Sequence, residues 1–235
     1  MFDDAWAVPL NDENPDARVA CVVLVDVSTS MKGAPITALQ QGFSEFAAFV
    51  NEDPLVRKRV EVAVITFGST AEVVVPLQEG RSVEPVAFTA NGTTAMGAAI
   101  NMALDIIAQR KQDYKDNGIQ YYRPWLLVLT DGEPTDSEFE AAVQRLNDVE
   151  AQRGVTVFTV GVGPGANFTK LARLSNERPP VPLDGLKFHE LFEWLSTSLS
   201  NVSNSYTYGR NDEEVATHAD EQQVELPPLS GWAAV

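Results

Sequence analysis

The chain has 235 residues, 44% of them hydrophobic and 21% charged, which is typical of one folded globular domain and excludes a disordered chain. Its 17 basic and 33 acidic residues give a formal net charge of −16, which disfavours nucleic acid as a partner because phosphate backbones attract basic surfaces. One cysteine and two histidines exclude an internal disulfide and a zinc site of cysteine and histidine ligands. The acidic start MFDDAW and the shortness of the apolar runs favour a cytoplasmic protein with no membrane segment.

Apolar patterns in the first third of the chain predict a strand, a helix and a hairpin. The β-branched run over 18–26 is typical of a strand covered on both faces, and the apolar spacing over 39–50 is typical of an amphipathic helix. Runs over 59–67 and 71–76, separated by a short turn, predict a hairpin. The second of these strands carries a proline and is therefore expected at an edge of the sheet.

Strands and helices alternate through the rest of the chain. The patterns predict, in order, a helix over 96–107, a strand over 125–131, a helix over 139–149, a strand over 155–161, a short helix over 168–174, a strand over 181–183 and a helix over 188–199. Such alternation indicates an α/β fold. We expect a doubly wound, mainly parallel six-stranded sheet with one antiparallel edge strand and helices on both faces.

The segments outside this pattern are irregular and acidic. Residues 1–17 contain five acidic residues and no basic one, and residues 207–235 contain six acidic residues and one basic residue. We predict one folded domain over 18–206, preceded by an irregular acidic segment and followed by an acidic linker with an apolar C-terminal tail. The tail contains LPPLSGWAAV, and we expect it to fold back onto the domain.

Three polar clusters lie beside the predicted strands and helices. Asp26, Ser28 and Ser30 follow the first strand, and alternate residues of an extended segment point the same way. The segment 91–94 (Asn-Gly-Thr-Thr) precedes the second helix, and the segment 130–133 (Thr-Asp-Gly-Glu) ends the strand over 125–131. In an open parallel sheet, ligands bind at the carboxyl ends of the strands. The three clusters are therefore expected to meet at one ligand-binding edge.

Each cluster taken alone is more typical of a helix cap or a tight turn than of a ligand site. Asp136 and Ser137, which precede the third helix, are interpreted as caps of that helix. Together, however, the three clusters supply hydroxyl and carboxylate oxygens and no sulfur or imidazole. That donor set is the one that a hard cation such as Mg²⁺ prefers.

The string DVSTSMKG at 26–33 resembles the Asp-x-Ser-x-Ser motif of von Willebrand factor A (vWA) domains, and the other two clusters resemble that family's threonine and aspartate motifs. The resemblance covers roughly residues 18–205 and implies a metal-ion-dependent adhesion site. The residues that it implies as metal ligands are Ser28 and Ser30 directly, Asp26 and Asp131 directly or through water, and a threonine of the middle cluster. Counting back from Gly97 matches Thr94, rather than Thr93, to the family's threonine.

The predicted site would act in protein recognition. Mg²⁺ binds about six oxygens and keeps several waters, so a shallow site leaves a position for an outside oxygen ligand. A protein partner would supply an Asp or Glu carboxylate to the metal, which turns a repulsive contact into an attractive one. Mg²⁺ is the cation we expect, and the same oxygen donors accept Mn²⁺ or Ca²⁺.

Two enzyme readings compete with this one. The segment 161–166 (Gly-Val-Gly-Pro-Gly-Ala) satisfies a variant of the dinucleotide-binding fingerprint, with Asp184 about 20 residues on, but it follows a late strand instead of opening the fold. A haloacid-dehalogenase-like phosphatase with Asp26 as its nucleophile would place a second aspartate where this chain has Ser28. Cys21 and His189 are interpreted as a buried apolar residue and a structural or solvated histidine. We therefore predict no enzyme activity.

The chain also resembles the TerY-like group of small vWA proteins associated with tellurium resistance. That resemblance implies a bacterial stand-alone protein of a stress or toxic-anion response, sometimes acting beside a protein kinase and a phosphatase. A vWA subunit that works with an AAA+ ATPase of the MoxR or chelatase type is an alternative with the same site chemistry.

Overall fold

The computed structural model describes residue 6, residues 8–131 and residues 133–204. The predicted acidic linker and apolar tail over 207–235 lie outside the described residues. The strands and helices, in chain order, are β1 (Val19–Asp26), α1 (Ala34–Glu52), α2 (Val56–Arg59), β2 (Val60–Phe67), β3 (Ala71–Glu79), α3 (Met96–Asp116), β4 (Trp125–Thr130), α4 (Phe139–Ala151), β5 (Thr156–Val162), α5 (Phe168–Leu171), β6 (Val181–Leu183) and α6 (Phe188–Asn204).

The six strands form one sheet in the order β3-β2-β1-β4-β5-β6. All neighbouring strands run parallel except β2 and β3, which form the antiparallel pair at one edge. This arrangement confirms the predicted fold class. The chain order reverses direction between β1 and β4, so the carboxyl ends of these two central strands form a crevice of the kind where α/β proteins bind ligands.

Strand β1 shows why helices cover both faces of the sheet. Its successive residues point to opposite sides, and every residue of the strand is buried. Val23 and Val25 belong to the core that includes Phe43 of α1 and Leu191 of α6. Ala20, Val22 and Leu24 pack in the second core, against α3 and α4. A run of β-branched and aliphatic residues with no polar alternation is the sequence form of this double burial.

The edge strand β3 is longer than predicted. It continues through Pro76 to Glu79, because the register with β2 shifts near Val64 and the irregularity accommodates the proline. Leu77 then pairs with the N-terminal segment instead: Leu77 N donates to the Trp6 carbonyl (3.0 Å), and Val8 N donates to the Leu77 carbonyl (3.0 Å). Residues before β1 therefore cover part of the sheet edge.

A buried cluster of charged residues lies at the N-terminal end of the sheet. Arg18 and Arg110 are almost fully buried, as are Glu61 and Glu79. Arg110 Nε lies 3.3 Å from Glu61 Oε2, and the Tyr114 hydroxyl donates to the same carboxylate oxygen (2.5 Å). Burial raises the pKa of the Glu61 carboxyl, while the charge of Arg110 opposes that rise. The two cations and two carboxylates balance each other inside the fold.

The helices of the described part of the chain are too short or too polar for membrane insertion: none combines the length and apolar character of a spanning segment.

Candidate metal centre

Asp26 is the last residue of β1 and its side chain is completely buried. Each carboxylate oxygen accepts a hydrogen bond: Oδ1 from the Ser28 backbone N–H (2.7 Å) and Oδ2 from the hydroxyl of Thr130, the last residue of β4 (2.6 Å). Burial raises the pKa of Asp26, the hydrogen bonds from Ser28 and Thr130 oppose that rise, and the charge of Asp131 adds to it. A positive charge beside Asp26 would relieve this cost of burial.

A chain of hydroxyl contacts links the first cluster to the third. The Ser28 and Ser30 hydroxyl oxygens lie 2.9 Å apart, and Ser30 Oγ donates to Asp131 Oδ1 (2.7 Å). Burial raises the pKa of the Asp131 carboxyl, and the hydrogen bond from Ser30 lowers it. Four of the five predicted ligands, including Asp26 through its bond with the Ser28 amide, therefore form one connected set.

The middle cluster reaches the same edge of the sheet through the turn that follows β1. Both the backbone N–H and the hydroxyl of Thr29 donate to the Gly92 carbonyl, at 3.1 Å and 3.0 Å. Thr94 is buried, and within the described residues its hydroxyl forms no hydrogen bond. Thr93 is exposed. Burial thus distinguishes Thr94 from Thr93.

In the middle cluster, the residue with a left-handed backbone conformation is Gly92 and not Thr93. Gly92 has φ 86°, and a Cβ there would lie 2.3 Å from Ser69 Oγ. The next residue, Thr93, has a negative φ and donates its N–H to Ser69 Oγ (3.2 Å). A β-branched residue at position 93 is therefore free of strain.

The donor set suits a divalent cation with a preference for oxygen. The side chains of Asp26, Ser28, Ser30, Thr94 and Asp131 offer carboxylate and hydroxyl oxygens only. The part of the chain that the structure describes contains no group of three or more histidine, cysteine, aspartate or glutamate side chains placed to hold a metal. Any metal centre at this edge therefore needs the hydroxyls, and two carboxylates match the charge of one dication.

The residues that the two enzyme interpretations would use make packing or surface contacts. Gly161 lies against the ring of Phe168, since a Cβ there would be 2.6 Å from the ring carbon Cζ. Asp184 forms an ion pair with Lys187 (2.5 Å). Burial raises the pKa of the Cys21 thiol to about 12, which leaves the weakly nucleophilic thiol form. His189 is exposed and hydrogen-bonds Glu45.

Three residues outside the predicted ligand set hold it together. Thr130 binds Asp26, as described above, and Thr135 binds the backbone of Thr94. Asp136 accepts hydrogen bonds from Gly97 N (3.2 Å) and Ala98 N (2.8 Å), in the first turn of α3. The prediction that Asp136 and Ser137 cap the following helix is wrong, because α4 has Glu138 at its N-cap and no side-chain cap there. These contacts join distant segments, so local sequence patterns do not reveal them.

Comparison with protein families matches residues 21–182 to the von Willebrand factor type A domain. A von Willebrand factor type A structure from Catenulispora acidiphila is similar, with a TM-score of 0.60 and 19% identity over 79% of this chain and 43% of that one. Proximal thread matrix protein 1 from the mussel byssus, with a zinc-occupied MIDAS motif, has a TM-score of 0.55 and 16% identity over 79% of this chain and 48% of that one.

BatB from Bacteroides thetaiotaomicron, a conserved hypothetical protein, has a TM-score of 0.53 and 17% identity over 80% of this chain and 100% of that one. The present chain spans less than half of the Catenulispora and mussel chains. At these identities the structural likeness shows the fold alone.

Proposed function

Because this chain belongs to the von Willebrand factor type A domain family, we propose that it is a metal-dependent protein-interaction module and not an enzyme. Asp26, Ser28, Ser30, Thr94 and Asp131 would hold the divalent cation. The observation that carries the proposal is the connected set that runs from the Asp26 carboxylate, through the backbone N–H of Ser28 and the two serine hydroxyls, to Asp131, at the carboxyl ends of β1 and β4. The mussel protein with a zinc-occupied MIDAS motif supports a divalent metal in this family.

The five residues divide into a buried base and an open rim. Asp26, Ser28 and Thr94 are buried, whereas Ser30 is exposed and Asp131 is partly exposed. Both oxygens of Asp26 already accept hydrogen bonds, which suits a carboxylate that acts through water. A partner would therefore approach over Ser30 and Asp131. The bound cation would supply a coordination position for an Asp or Glu carboxylate of that partner.

Mg²⁺ is the cation we propose, with Mn²⁺ or Ca²⁺ as alternatives. The donors are oxygens only, and hydroxyl and carboxylate oxygens suit hard cations better than soft ones. With two carboxylates at the site and a chain of net charge −16, an acidic partner would be repelled without metal. The cation therefore controls whether an acidic partner binds at all.

The cellular system is the finer part of the proposal. The resemblance of the chain to TerY-like vWA proteins supports a cytoplasmic role in a bacterial stress or tellurium-resistance system, beside a protein kinase and a phosphatase. The three motifs themselves support the vWA domain more strongly than this subgroup. The buried, unpaired Cys21 agrees with a reducing compartment. The alternative is a subunit of a MoxR-type or chelatase-like AAA+ ATPase, and the identity of the flanking genes distinguishes the two.

Calorimetry with Mg²⁺ tests the site directly. We expect the wild type to bind Mg²⁺ and Asp26→Ala to lose binding. Asp148→Ala is the matched control, because Asp148 is an exposed carboxylate on α4 that accepts a hydrogen bond from Gln144 (2.9 Å). Equal Mg²⁺ binding by the wild type and Asp26→Ala would overturn the site assignment.

A pull-down with and without EDTA tests the metal dependence of partner binding. We expect proteins captured by the wild type in Mg²⁺ to be lost with EDTA and to be missing with Asp26→Ala. Asp148→Ala should behave like the wild type. Partners retained equally with and without EDTA would refute metal-dependent recognition.

A further inference from the structure

Thr135 holds the backbone of Thr94 on both sides. Thr94 N donates to Thr135 Oγ1 (3.1 Å), and Thr135 N donates to the Thr94 carbonyl (2.9 Å). The Thr135 hydroxyl also lies within donating distance of that carbonyl (3.3 Å). Thr135 lies four residues after Asp131 in the chain, so these bonds tie the middle cluster to the segment that follows the third cluster.

Asp136, the next residue, holds the start of α3. Its two carboxylate oxygens accept the N–H groups of Gly97 and Ala98, which would otherwise lack partners in the first helical turn. The N-cap residue of α3 is Ala95, whose side chain has no acceptor. The carboxylate that caps α3 therefore comes from the loop that also carries Asp131.

Close packing leaves little freedom between the two helix starts. A Cβ on Gly97 would lie 2.4 Å from Phe139 N at the beginning of α4. On its other side, the middle loop is fixed by Ala95 N donating to the Gly68 carbonyl (2.8 Å) and Asn91 N donating to the Val27 carbonyl (2.6 Å). The hydrogen bonds of Thr135 to Thr94, and of Asp136 to the start of α3, therefore fix the segment around Thr94 on its remaining side.

We propose that Thr135 and Asp136 are positioning residues, which set the place of the Thr94 hydroxyl relative to Asp131 and thereby the affinity of the site for its cation. The inference rests on the proposed function, since it concerns how two of the proposed ligands are held. Neither residue is itself a ligand in this proposal. Residues that orient metal ligands typically change metal affinity by about 10–100-fold when they are replaced.

Matched substitutions separate positioning from folding. Thr135→Val keeps the shape of the side chain and removes the hydroxyl, whereas Thr135→Ser keeps the hydroxyl. Asp136→Ala removes both acceptors of the α3 cap. Asp53→Ala is its control, because Asp53 accepts two backbone N–H groups beside α2, from Leu55 and Val56 (both 2.9 Å), at the opposite end of α1 from the site.

The primary readout is the Mg²⁺ dissociation constant by calorimetry. We expect Thr135→Val and Asp136→Ala to bind Mg²⁺ at least about tenfold more weakly than the wild type. Thr135→Ser and Asp53→Ala should stay within about twofold of the wild type, since neither loses a contact to Thr94 or α3. Wild-type affinity in both Thr135→Val and Asp136→Ala, or an equal loss in Asp53→Ala, would overturn the inference.

Amide hydrogen exchange in the metal-free proteins gives a second readout, which needs no bound cation. The Thr94 amide should exchange faster in Thr135→Val and at the wild-type rate in Thr135→Ser, while the Gly97 and Ala98 amides should exchange faster in Asp136→Ala. Unchanged exchange of these amides in the variants would contradict the positioning role of Thr135 and Asp136. If the wild type binds Mg²⁺ and these variants bind it equally well, the positioning role alone is wrong; a wild type that does not bind Mg²⁺ overturns both proposals.

Discussion

Ser30 Oγ donates a 2.7 Å hydrogen bond to Asp131 Oδ1, across 101 positions of the chain. The bond brings together the loops that follow β1 and β4, which are neighbours in the sheet. Adjacent parallel strands with their carboxyl ends side by side make this contact possible, because residues just beyond each strand emerge at the same edge.

Ser30→Ala should weaken Mg²⁺ binding by at least about tenfold, because it removes both a proposed ligand and the group that orients Asp131. Titration of the variant with Mg²⁺ in a calorimeter measures the change. Ser44→Ala is the control, since the Ser44 hydroxyl bonds the Gln40 carbonyl within α1, away from the site (2.9 Å). Wild-type affinity in Ser30→Ala would show that this serine has no part in metal binding.

Replacing each threonine of the middle loop with valine tests which one binds the metal. Thr94→Val should abolish or strongly weaken Mg²⁺ binding, because Thr94 is buried and its hydroxyl is not used by another described residue. Thr93→Val should bind Mg²⁺ as the wild type does, because Thr93 is exposed and its described contact uses the backbone N–H. The opposite order of affinities would assign the ligand to Thr93.

Arg110→Met should lower the free energy of unfolding by about 3–5 kcal/mol, because it leaves the buried Glu61 carboxylate without its nearest cation. Urea denaturation monitored by circular dichroism measures the loss. Arg145→Met is the control: Arg145 pairs with Asp105 at the surface (2.5 Å), and exposed pairs contribute about 0–1 kcal/mol. Equal losses in the two variants would contradict the role assigned to the buried cluster.

The pair of Glu45 on α1 and His189 on α6 should make stability depend on pH. The hydrogen bond that His189 Nδ1 donates to the Glu45 carboxylate raises the pKa of His189, and the charge of Glu45 and those of Glu190 and Glu193 add to the rise. A raised histidine pKa stabilises the fold fully below the unfolded pKa of about 6.5 and loses this effect as pH rises through the folded value. The same bond lowers the pKa of Glu45. The contribution of Glu45 to the free energy of unfolding is therefore lost as pH falls through its lowered pKa.

We therefore expect His189→Gln to be less stable than the wild type near pH 5.5 and nearly equal to it near pH 8.5. Both side chains are largely exposed, so the difference should be about 0.2–1 kcal/mol at most. Urea unfolding at the two pH values provides the measurement. If the difference in stability between His189→Gln and the wild type is the same at both pH values, the pair does not titrate as its contacts imply.

Much of the fold is predictable from apolar patterns, because the strands of the central sheet are buried on both faces. The apolar run that ends at Asp26 predicts both the strand and the residue at which the strand ends. The extension of β3 past Pro76 is not predictable in the same way. It depends on a register shift against β2, and no local residue preference reports such a shift.

The proposed ligands could be predicted because they lie within short motifs that follow β1 and β4 or precede α3. Their supports could not, because each acts on a residue far away in the chain. Asp136 precedes α4, and a polar residue before a helix is usually that helix's own cap. Here the carboxylate turns to α3 instead, because the two helix starts meet at Gly97.

The pairing of Leu77 with residues 6 and 8 bears on how copies of this protein behave towards one another. An edge strand with free backbone groups is a template for strand addition by a second molecule. Here the Leu77 N–H and carbonyl are already bonded, and Pro76 has no N–H to offer. We expect a chain shortened past Val8 to present the Leu77 N–H to another copy and to associate edge to edge more readily.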